Sequence, residues 1–304
     1  MSIVINTPNG NIGRALSEQL IAAGESITVI SRTADKVASL VERGARLVQG
    51  SIEEEAVLDQ ALNGARALFW LTPPVGGRPD FKVWASGLGS QAAKAAKKAG
   101  VTTVVMVSSV GAQSGDGTGP VSVLRGIEND FQASVPNFVA LRAGFFMENL
   151  LMSLHGIASG TIYMPLPADI PMPMVATKDI AMMAASYLLC DSWRGHHIVG
   201  VHGPKDLTQN QVVVELSRVL GQAVRYQQVP VEAAKQAMLG FGMPDFAVNI
   251  VGEMYQAIVD GRMNPVEPRT PHTTTATTLR EFIGQVIKPA LAQLKSGAGG
   301  GSAS

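Results

Sequence analysis

The first part of the chain alternates short apolar runs with segments whose apolar residues recur every three or four positions. The apolar runs predict strands at residues 2–6, 27–31, 45–49, 67–71, 102–107 and 138–141. The helical spacing predicts helices at 11–23, 34–41, 53–62, 81–99 and 121–133. Strands that are apolar throughout and alternate with helices are buried on both faces. The pattern therefore predicts an α/β fold with a doubly wound parallel sheet.

After residue 142 the pattern becomes mostly helical. It predicts helices at 145–155, 179–189, 208–220, 231–239, 245–259 and 278–294, and extended segments at 161–164, 170–174, 197–201 and 224–229. Thr208 and Gln211 have the spacing of a capping box at the start of one helix. We expect a nucleotide-binding domain over 1–150, with 178–202 returning to it, a smaller and mostly helical substrate cap over 151–295, and a disordered tail over 296–304.

Composition excludes several classes of protein. The 304 residues contain 24 Lys and Arg and 24 Asp and Glu, so the net charge is zero and neither a dedicated nucleic-acid binder nor a basic membrane-surface protein is expected. The start lacks the basic region of a signal peptide, and polar and proline residues interrupt the uncharged segment 149–168, so no membrane span is predicted. The single cysteine, Cys190, excludes an internal disulfide and a Cys-rich metal site, and we expect a buried thiol in a cytoplasmic protein without a metal.

A glycine-containing turn joins the first predicted strand to the first predicted helix. Backbone N–H groups and the helix dipole at such a turn can bind a pyrophosphate. Gly10 would let the backbone approach the phosphates, and Gly13 would let the helix pack closely on the strand. The predicted contacts are Thr7, Asn9, Gly10, Asn11, Ile12 and Gly13. The alternative is an ordinary tight turn, since Thr7 stands where a first glycine is expected.

The end of the second predicted strand carries a hydroxyl and two cations. Ser31 and Arg32 occupy the place where an acidic residue would bind the ribose of NAD, and Lys36 follows one helical turn later. A guanidinium and a hydroxyl suit a 2′-phosphate, whereas a carboxylate would repel it. The sequence therefore favours NADP(H), although a solvated basic helix face would show the same residues.

Several segments in order carry a family resemblance. They are the turn with Gly10 and Gly13, the pair Arg32 and Lys36, and the segments VSSVG at 107–111, RGIE at 125–128 and LRAGFFMENL at 141–150. Together, over roughly residues 2–189, the chain resembles the NmrA-like family of atypical short-chain dehydrogenases/reductases. The resemblance implies a Rossmann fold whose backbone after the sixth strand lies along the nicotinamide, and here Ala143 replaces the family's proline.

The resemblance also implies further cofactor contacts at the ends of the central strands. These are Leu71, Thr72, Pro73, Val107, Ser108, Gly144 and Phe145. The family contains NADPH-dependent quinone reductases, reductases of phenylpropanoid-type substrates and cofactor-sensing regulators without turnover. The resemblance thus predicts the cofactor with more precision than it predicts the reaction.

The usual proton donors of carbonyl reductases are missing. None of the four tyrosines is followed by a lysine four residues on. The isoflavone-reductase-like branch uses a lysine four residues before the glutamate that corresponds to Glu128, and here that position is Leu124. The remaining catalytic candidates are Ser109, Tyr163 and His155. Ser108 and Ser109 could instead only cap their strand, and His155 could be a packing residue.

An acceptor whose reduced form is a stable anion needs no dedicated acid, and quinones have this property. Seven of the 13 methionines lie between Met147 and Met183, and flexible methionines beside aromatic rings suit a flat ligand. The predicted substrate contacts are Phe145, Phe146, Met147, Met152, Tyr163 and Met174, with a Met-rich packing seam as the alternative.

The sequence therefore predicts an NADPH-dependent reductase of a small aromatic, quinone-like or enone substrate. A non-catalytic NADP(H)-binding sensor and a cofactor-independent isomerase or lyase remain alternatives, and the oligomeric state is undetermined.

Overall fold

The computed structural model describes residues 1–298. The strands are β1 (Ser2–Ile5), β2 (Ile27–Ser31), β3 (Arg46–Gln49), β4 (Ala65–Leu71), β5 (Thr103–Ser109), β6 (Asn137–Ala143), β7 (Phe145–Phe146), β8 (Thr161–Met164), β9 (Met172–Val175), β10 (Gly195–Val201), β11 (Asp206–Leu207) and β12 (Arg225–Gln228).

The α-helices are α1 (Asn11–Ala22), α2 (Ala38–Glu42), α3 (Glu55–Leu62), α4 (Phe81–Lys98), α5 (Leu124–Gln132), α6 (Leu154–Ser159), α7 (Thr177–Leu189), α8 (Gln209–Leu220), α9 (Val231–Gly240), α10 (Asp245–Val259), α11 (Leu279–Phe282) and α12 (Lys288–Ala298). A π-helical segment, Ile283–Ile287, joins α11 to α12. None of the helices in the described part of the chain has both the length and the apolar character needed to cross a bilayer.

Seven strands form one parallel sheet in the order β10-β6-β5-β4-β1-β2-β3. The chain runs outward from β1 to β3 and then returns to β4 on the other side of β1, so the strand order reverses between β1 and β4. Asn6 holds this junction together: its side-chain amide donates to the Leu71 carbonyl at 2.9 Å and accepts from the Leu71 N–H at 2.9 Å. Ligands of doubly wound sheets bind at such a reversal.

Two hydrophobic clusters cover the two faces of this sheet. Alternating residues of one strand point to opposite faces, so Val4 packs with α3, α4 and α5 while Ile3 and Ile5 pack with α1, α2 and α7. Helices on both faces explain why the strands are apolar throughout. The predicted doubly wound fold is confirmed.

The remaining elements form the cap. Two small sheets, β11-β9-β7 and β12-β8, pack with α8 and the π-helical segment around a third hydrophobic cluster. Both halves of the predicted capping box at Thr208 are present. β10 does not belong to the cap, because it pairs with β6 at the edge of the large sheet.

The predicted helix at 145–155 is wrong over most of its length. Phe145 and Phe146 instead pair in parallel with Met174 and Val175, the next seven residues form a 3-10 helix, and α-helix begins at Leu154. Pairing with β9 outweighs the helical spacing here, because it satisfies backbone N–H and C=O groups of these two residues as they leave the large sheet. Similarly, the predicted helix at 121–133 starts with a 3-10 turn, Gly119–Val123.

Two further expectations need correction. Cys190 is exposed rather than buried, because it follows the last residue of α7, and its thiol lies 3.1 Å from the Ser192 hydroxyl. The predicted disordered tail over 296–304 begins inside α12, which extends to Ala298. Residues 299–304 lie outside the described residues.

Candidate functional site

The turn after β1 presents the donors that a pyrophosphate needs. Gly10 is the N-cap of α1 and no side chain caps this helix, so the N–H groups of its first turn have no intrahelical acceptor. A Cβ atom on Gly13 would lie 2.0 Å from the Thr7 carbonyl oxygen, which only glycine avoids. The Thr7 hydroxyl is buried and has no hydrogen-bond partner in the described structure. The turn therefore fits an anionic ligand at the reversal of strand order.

Asn9 connects this turn to the end of β2. Its amide donates to the Ser31 hydroxyl at 3.1 Å, and that hydroxyl donates to the Thr33 carbonyl at 2.9 Å. Ser31 is 4% exposed. Because its only proton is already donated, Ser31 fixes the shape of the loop rather than offering a donor to a ligand.

Arg32 and Lys36 follow on this loop as exposed cations. Neither forms an ion pair with a carboxylate of residues 1–298, in contrast to Arg14 on α1, which pairs with Glu18 at 3.2 Å. Two unpaired cations beside the crevice would attract a phosphate at the ribose end of a dinucleotide. A role in binding 2′-phosphate remains a prediction.

The other predicted cofactor contacts lie at neighbouring strand ends. Leu71 is the last residue of β4, Thr72 and Pro73 follow it, and all three are half-buried. Val107 and Ser108 are buried residues of β5, next to its last residue. The Thr72 hydroxyl accepts from the Trp70 indole at 3.2 Å. The parallel register brings these positions to the same carboxyl edge as the turn of residues 7–13, the predicted phosphate turn.

Gly144 and Phe145 continue this edge after β6. The Gly144 N–H donates to the Val201 carbonyl at 3.0 Å, and a Cβ atom there would lie 2.5 Å from the Pro173 carbonyl oxygen. The small residue lets the strand end and β9 approach closely, which places Phe145 and Phe146 between the sheet and the cap.

A buried charge network lies directly beneath this edge. The Arg142 guanidinium donates to both carboxylate oxygens of Glu128, at 3.0 and 2.7 Å, and to Glu267 at 2.8 Å. The Ser108 hydroxyl donates to Glu128 at 2.6 Å. Ser108 is thus committed through its side chain, and only its backbone could contact a ligand.

The surroundings of this network determine its charge state. Burial opposes the charge of Arg142, yet its hydrogen bond to Glu128 and the nearby negative charge raise the pKa of the guanidinium. The second carboxylate oxygen of Glu267 is buried without a partner. Sequence reasoning did not identify this network as a unit, although a charged residue inside the apolar strand NFVALRA was a signal for a buried ion pair.

His202 adjoins Glu267 at the end of β10. Its Nε2 lies 3.2 Å from the Glu267 carbonyl oxygen, and burial together with the charge of Arg269 lowers the pKa of the imidazole. The segment that carries Glu267 is therefore attached to two strand ends, β6 through Arg142 and β10 through His202.

The three catalytic candidates differ in position. Ser109 is the last residue of β5, and its hydroxyl donates to the Val110 carbonyl at 2.9 Å. Tyr163 lies on β8 in the two-stranded sheet and is 63% exposed, and His155 is an exposed residue of α6 rather than a packing residue. The structure attaches none of their side chains to another candidate by a hydrogen bond.

The predicted substrate contacts are only partly available to a ligand at this edge. Phe145 and Phe146 are half-buried, but Met147 and Met174 are 0% and 1% exposed and pack in the cap's hydrophobic cluster. In this structure neither methionine presents side-chain surface to a ligand at the edge, and their burial favours the packing seam, the alternative that the sequence left open. Met152 points outward and is 81% exposed.

Glu148, which in the sequence stands out only as part of the segment LRAGFFMENL, connects two parts of the fold. Its carboxylate accepts from the Thr177 N–H at 3.0 Å and from the Thr177 hydroxyl at 2.6 Å. It thereby ties the segment after β7 to the first turn of α7, where a negative charge is favourable.

Comparison with known proteins adds a family and a fold. The profile of the NmrA-like family matches residues 1–283. An NAD(P)H azoreductase of Xenophilus azovorans is 32% identical over 288 residues, which cover 92% of this chain and 96% of that protein.

Two solved structures have the same fold. An NADPH-dependent quinone oxidoreductase of Escherichia coli, complexed with NADPH, superposes with a TM-score of 0.79 at 22% identity and covers 96% of this chain and 99% of that one. A triphenylmethane reductase of Citrobacter sp., complexed with NADP(H), gives a TM-score of 0.77 at 21% identity over the same shares of the two chains.

Proposed function

Because the chain belongs to the NmrA-like family, we propose that it is an NADPH-dependent reductase that transfers hydride to a small flat acceptor, foremost a quinone, with enones and azo compounds as further candidates. One observation carries the cofactor assignment. The uncapped turn of α1, with its buried and unpartnered Thr7 hydroxyl, lies at the reversal of strand order and is linked through Asn9 to the loop of Arg32. The names of the azoreductase and the quinone oxidoreductase support the same chemistry.

The residues present fit a bound NADPH. The first turn of α1 would hold the pyrophosphate through N–H groups, and the Thr7 hydroxyl would gain the partner that it lacks. Arg32 and Lys36 would bind the 2′-phosphate through charge-assisted hydrogen bonds. Gly144 and Phe145 would support the nicotinamide end.

The chemistry that the cofactor supplies is hydride donation from its nicotinamide ring. The task of the protein is to position the acceptor, for which the half-buried rings of Phe145 and Phe146 offer a stacking surface at the carboxyl edge. Hydride addition to one quinone oxygen delivers two electrons and leaves a hydroquinone monoanion, which takes its second proton from water. No side-chain acid is required, in agreement with the absent Tyr-Lys pair.

Anaerobic mixing of the protein with NADPH and a panel of quinones, enones and azo dyes tests this function. We expect loss of nicotinamide absorbance that depends on the acceptor, with one hydroquinone formed per NADPH consumed. Measurable NADPH binding without turnover of any acceptor would instead support the sensor, and failure to bind either NADPH or NADH would support a cofactor-independent reaction.

The absence of a dedicated acid is tested with three variants, Ser109→Ala, His155→Ala and Tyr163→Phe. Removing a true proton donor lowers the rate by about 10²–10⁴-fold, whereas removing a positioning contact changes mainly the apparent affinity. We expect each variant to keep kcat within about tenfold of the parent. A loss of more than about 10²-fold in any of them, with NADPH binding intact, would show that a dedicated acid exists.

A further inference from the structure

A cavity lies in the cap, between β11, α8 and α11. Its volume is about 300 Å³, and a smaller cavity of about 220 Å³ adjoins it and shares Lys205, Leu207 and Glu215 with it. Ligand cavities range from about 300 to 1,000 Å³, so the space suits a small molecule. The residues lining the larger cavity are Met147, Pro204, Lys205, Leu207, Glu215, Thr278, Leu279 and Arg280.

The floor of this cap cavity is apolar and rigid. Met147, Leu207 and Leu279 are 0%, 3% and 4% exposed and belong to the cap's hydrophobic cluster. Because these side chains are fixed by their neighbours, the cavity is part of the packed structure rather than a gap between mobile surface groups. An apolar body is the part of a ligand that would bind there.

The mouth of the cap cavity carries an excess of positive charge. Arg280 pairs with Glu215 at 3.1 Å, and Arg218 also contacts Glu215, at 3.2 Å. The Arg280 guanidinium and the nearby cations lower the pKa of the Glu215 carboxyl. Lys205 has no carboxylate within ion-pair distance among residues 1–298, although it is close enough to influence Glu215. An anionic group at the mouth would therefore find an ammonium group free to pair with it.

The cap cavity is separate from the cofactor site. None of its lining residues belongs to the phosphate turn, the Arg32 loop or the strand ends described above. It reaches the proposed reductase site only through Met147, which directly follows the β7 residues Phe145 and Phe146.

We propose that the cap cavity is a binding site for an amphipathic monoanion, a molecule with a small apolar body and one carboxylate or sulfonate group, separate from the NADPH and acceptor site. The apolar body occupies the floor at Leu207 and Leu279, next to the buried Met147, and the anionic group pairs with Lys205. Since none of these contacts involves the cofactor, binding does not depend on the proposed reductase activity.

Titration calorimetry with octanoate and with octan-1-ol tests the two parts of the site. The two probes have the same chain length and differ in charge, so we expect saturable binding of octanoate that is clearly tighter than that of the alcohol. Replacing Lys205 by Ala should weaken octanoate about three- to tenfold and leave octan-1-ol unchanged. Lys97→Ala removes a lysine of α4 that is also exposed, and it serves as the matched control.

The location of binding is read independently from methionine methyl resonances. With ¹³C-methyl-methionine protein, the Met147 signal, assigned through Met147→Leu, should shift with octanoate, and the shift should persist in the presence of saturating NADPH. The proposal is overturned if octanoate does not bind saturably, if Lys97→Ala weakens it as much as Lys205→Ala, or if the Met147 signal does not move. Displacement of octanoate by NADPH would place the probe in the reductase site and would equally overturn it.

Discussion

The buried network around Arg142 provides the strongest stability prediction. Replacing Arg142 by Met keeps much of the side chain's length and apolar stem while removing the guanidinium. The variant leaves Glu128, whose side chain is 0% exposed, with the Ser108 hydroxyl as its hydrogen-bond donor and the half-exposed Arg125 guanidinium 3.8 Å away. It leaves Glu267, 9% exposed, without its guanidinium partner. Both carboxylates then stay buried with their main counter-charge lost.

The expected magnitude follows from this geometry. Removing one partner of a buried ion pair costs about 3–5 kcal/mol, because the remaining charge is desolvated and unpaired. Two carboxylates lose Arg142 here, and Ser108 compensates one of them in part, so we expect a loss of about 4 kcal/mol. That is a large share of the roughly 5–15 kcal/mol by which domains are stable.

Urea unfolding followed by circular dichroism measures this loss. Arg14→Met is the matched control, because Arg14 pairs with Glu18 on the surface of α1, where the side chains are 45% and 42% exposed. Exposed helix pairs contribute only about 0.3–0.5 kcal/mol, so the control should remain close to the parent.

A double-mutant cycle with Glu128→Gln isolates the pairwise part. We expect a coupling energy of about 2–3 kcal/mol between Arg142 and Glu128, since they share two hydrogen bonds in a buried site. If Arg142→Met destabilises the protein no more than Arg14→Met does, the network does not hold the carboxyl edge together and the reasoning is refuted.

Three further predictions concern the cofactor and pH. Arg32→Ala should weaken NADPH binding about 10- to 150-fold, which corresponds to about 1.5–3 kcal/mol for one charge-assisted contact. The binding of NADH, measured in the same fluorescence titrations, should be nearly unchanged. Equal losses for both cofactors, or the same loss of NADPH binding in the control Arg225→Ala, would contradict the 2′-phosphate assignment. Gly13→Ala should lower the melting temperature without cofactor and abolish NADPH binding, because its Cβ would lie 2.0 Å from a carbonyl oxygen, whereas Gly10→Ala, with its nearest atom at 3.8 Å, should keep the parent melting temperature. The folded state lowers the pKa of His202 below its ordinary value of 6.5, so the contribution of His202 to stability is complete above pH 6.5 and declines as the pH falls below that value. His202→Gln should therefore reduce the loss of stability below pH 6.5, measured by urea unfolding at a series of pH values. An unchanged pH dependence would show that another group causes the loss.

Local patterns in the sequence were enough to predict the large sheet. Apolar strands such as VVMV in β5 are buried on both faces. Such burial can be recognised from the strand sequence alone, because a continuous apolar strand is typical of a sheet that is covered on both faces. The turn after β1 was also predictable, since Gly10 and Gly13 stand between a predicted strand and a predicted helix, and Gly13 packs closely on the Thr7 carbonyl oxygen. The family resemblance then indicated that the cofactor carries a nicotinamide.

The sequence by itself therefore determined the doubly wound sheet, the position of the close-packed glycine turn after β1 and the absence of a Tyr-Lys pair, because each depends on residues that are close in the chain. Only the tertiary structure decided that Phe145 and Phe146 form a strand, that Met147 and Met174 are core residues, and that Glu267 completes the Arg142 network. Arg142 and Glu267 are 125 residues apart, and no periodicity in the chain records such a contact. Which residues pair over such distances depends on the assembled fold, because a buried charge or backbone group needs a hydrogen-bond or ion-pair partner wherever the fold places it.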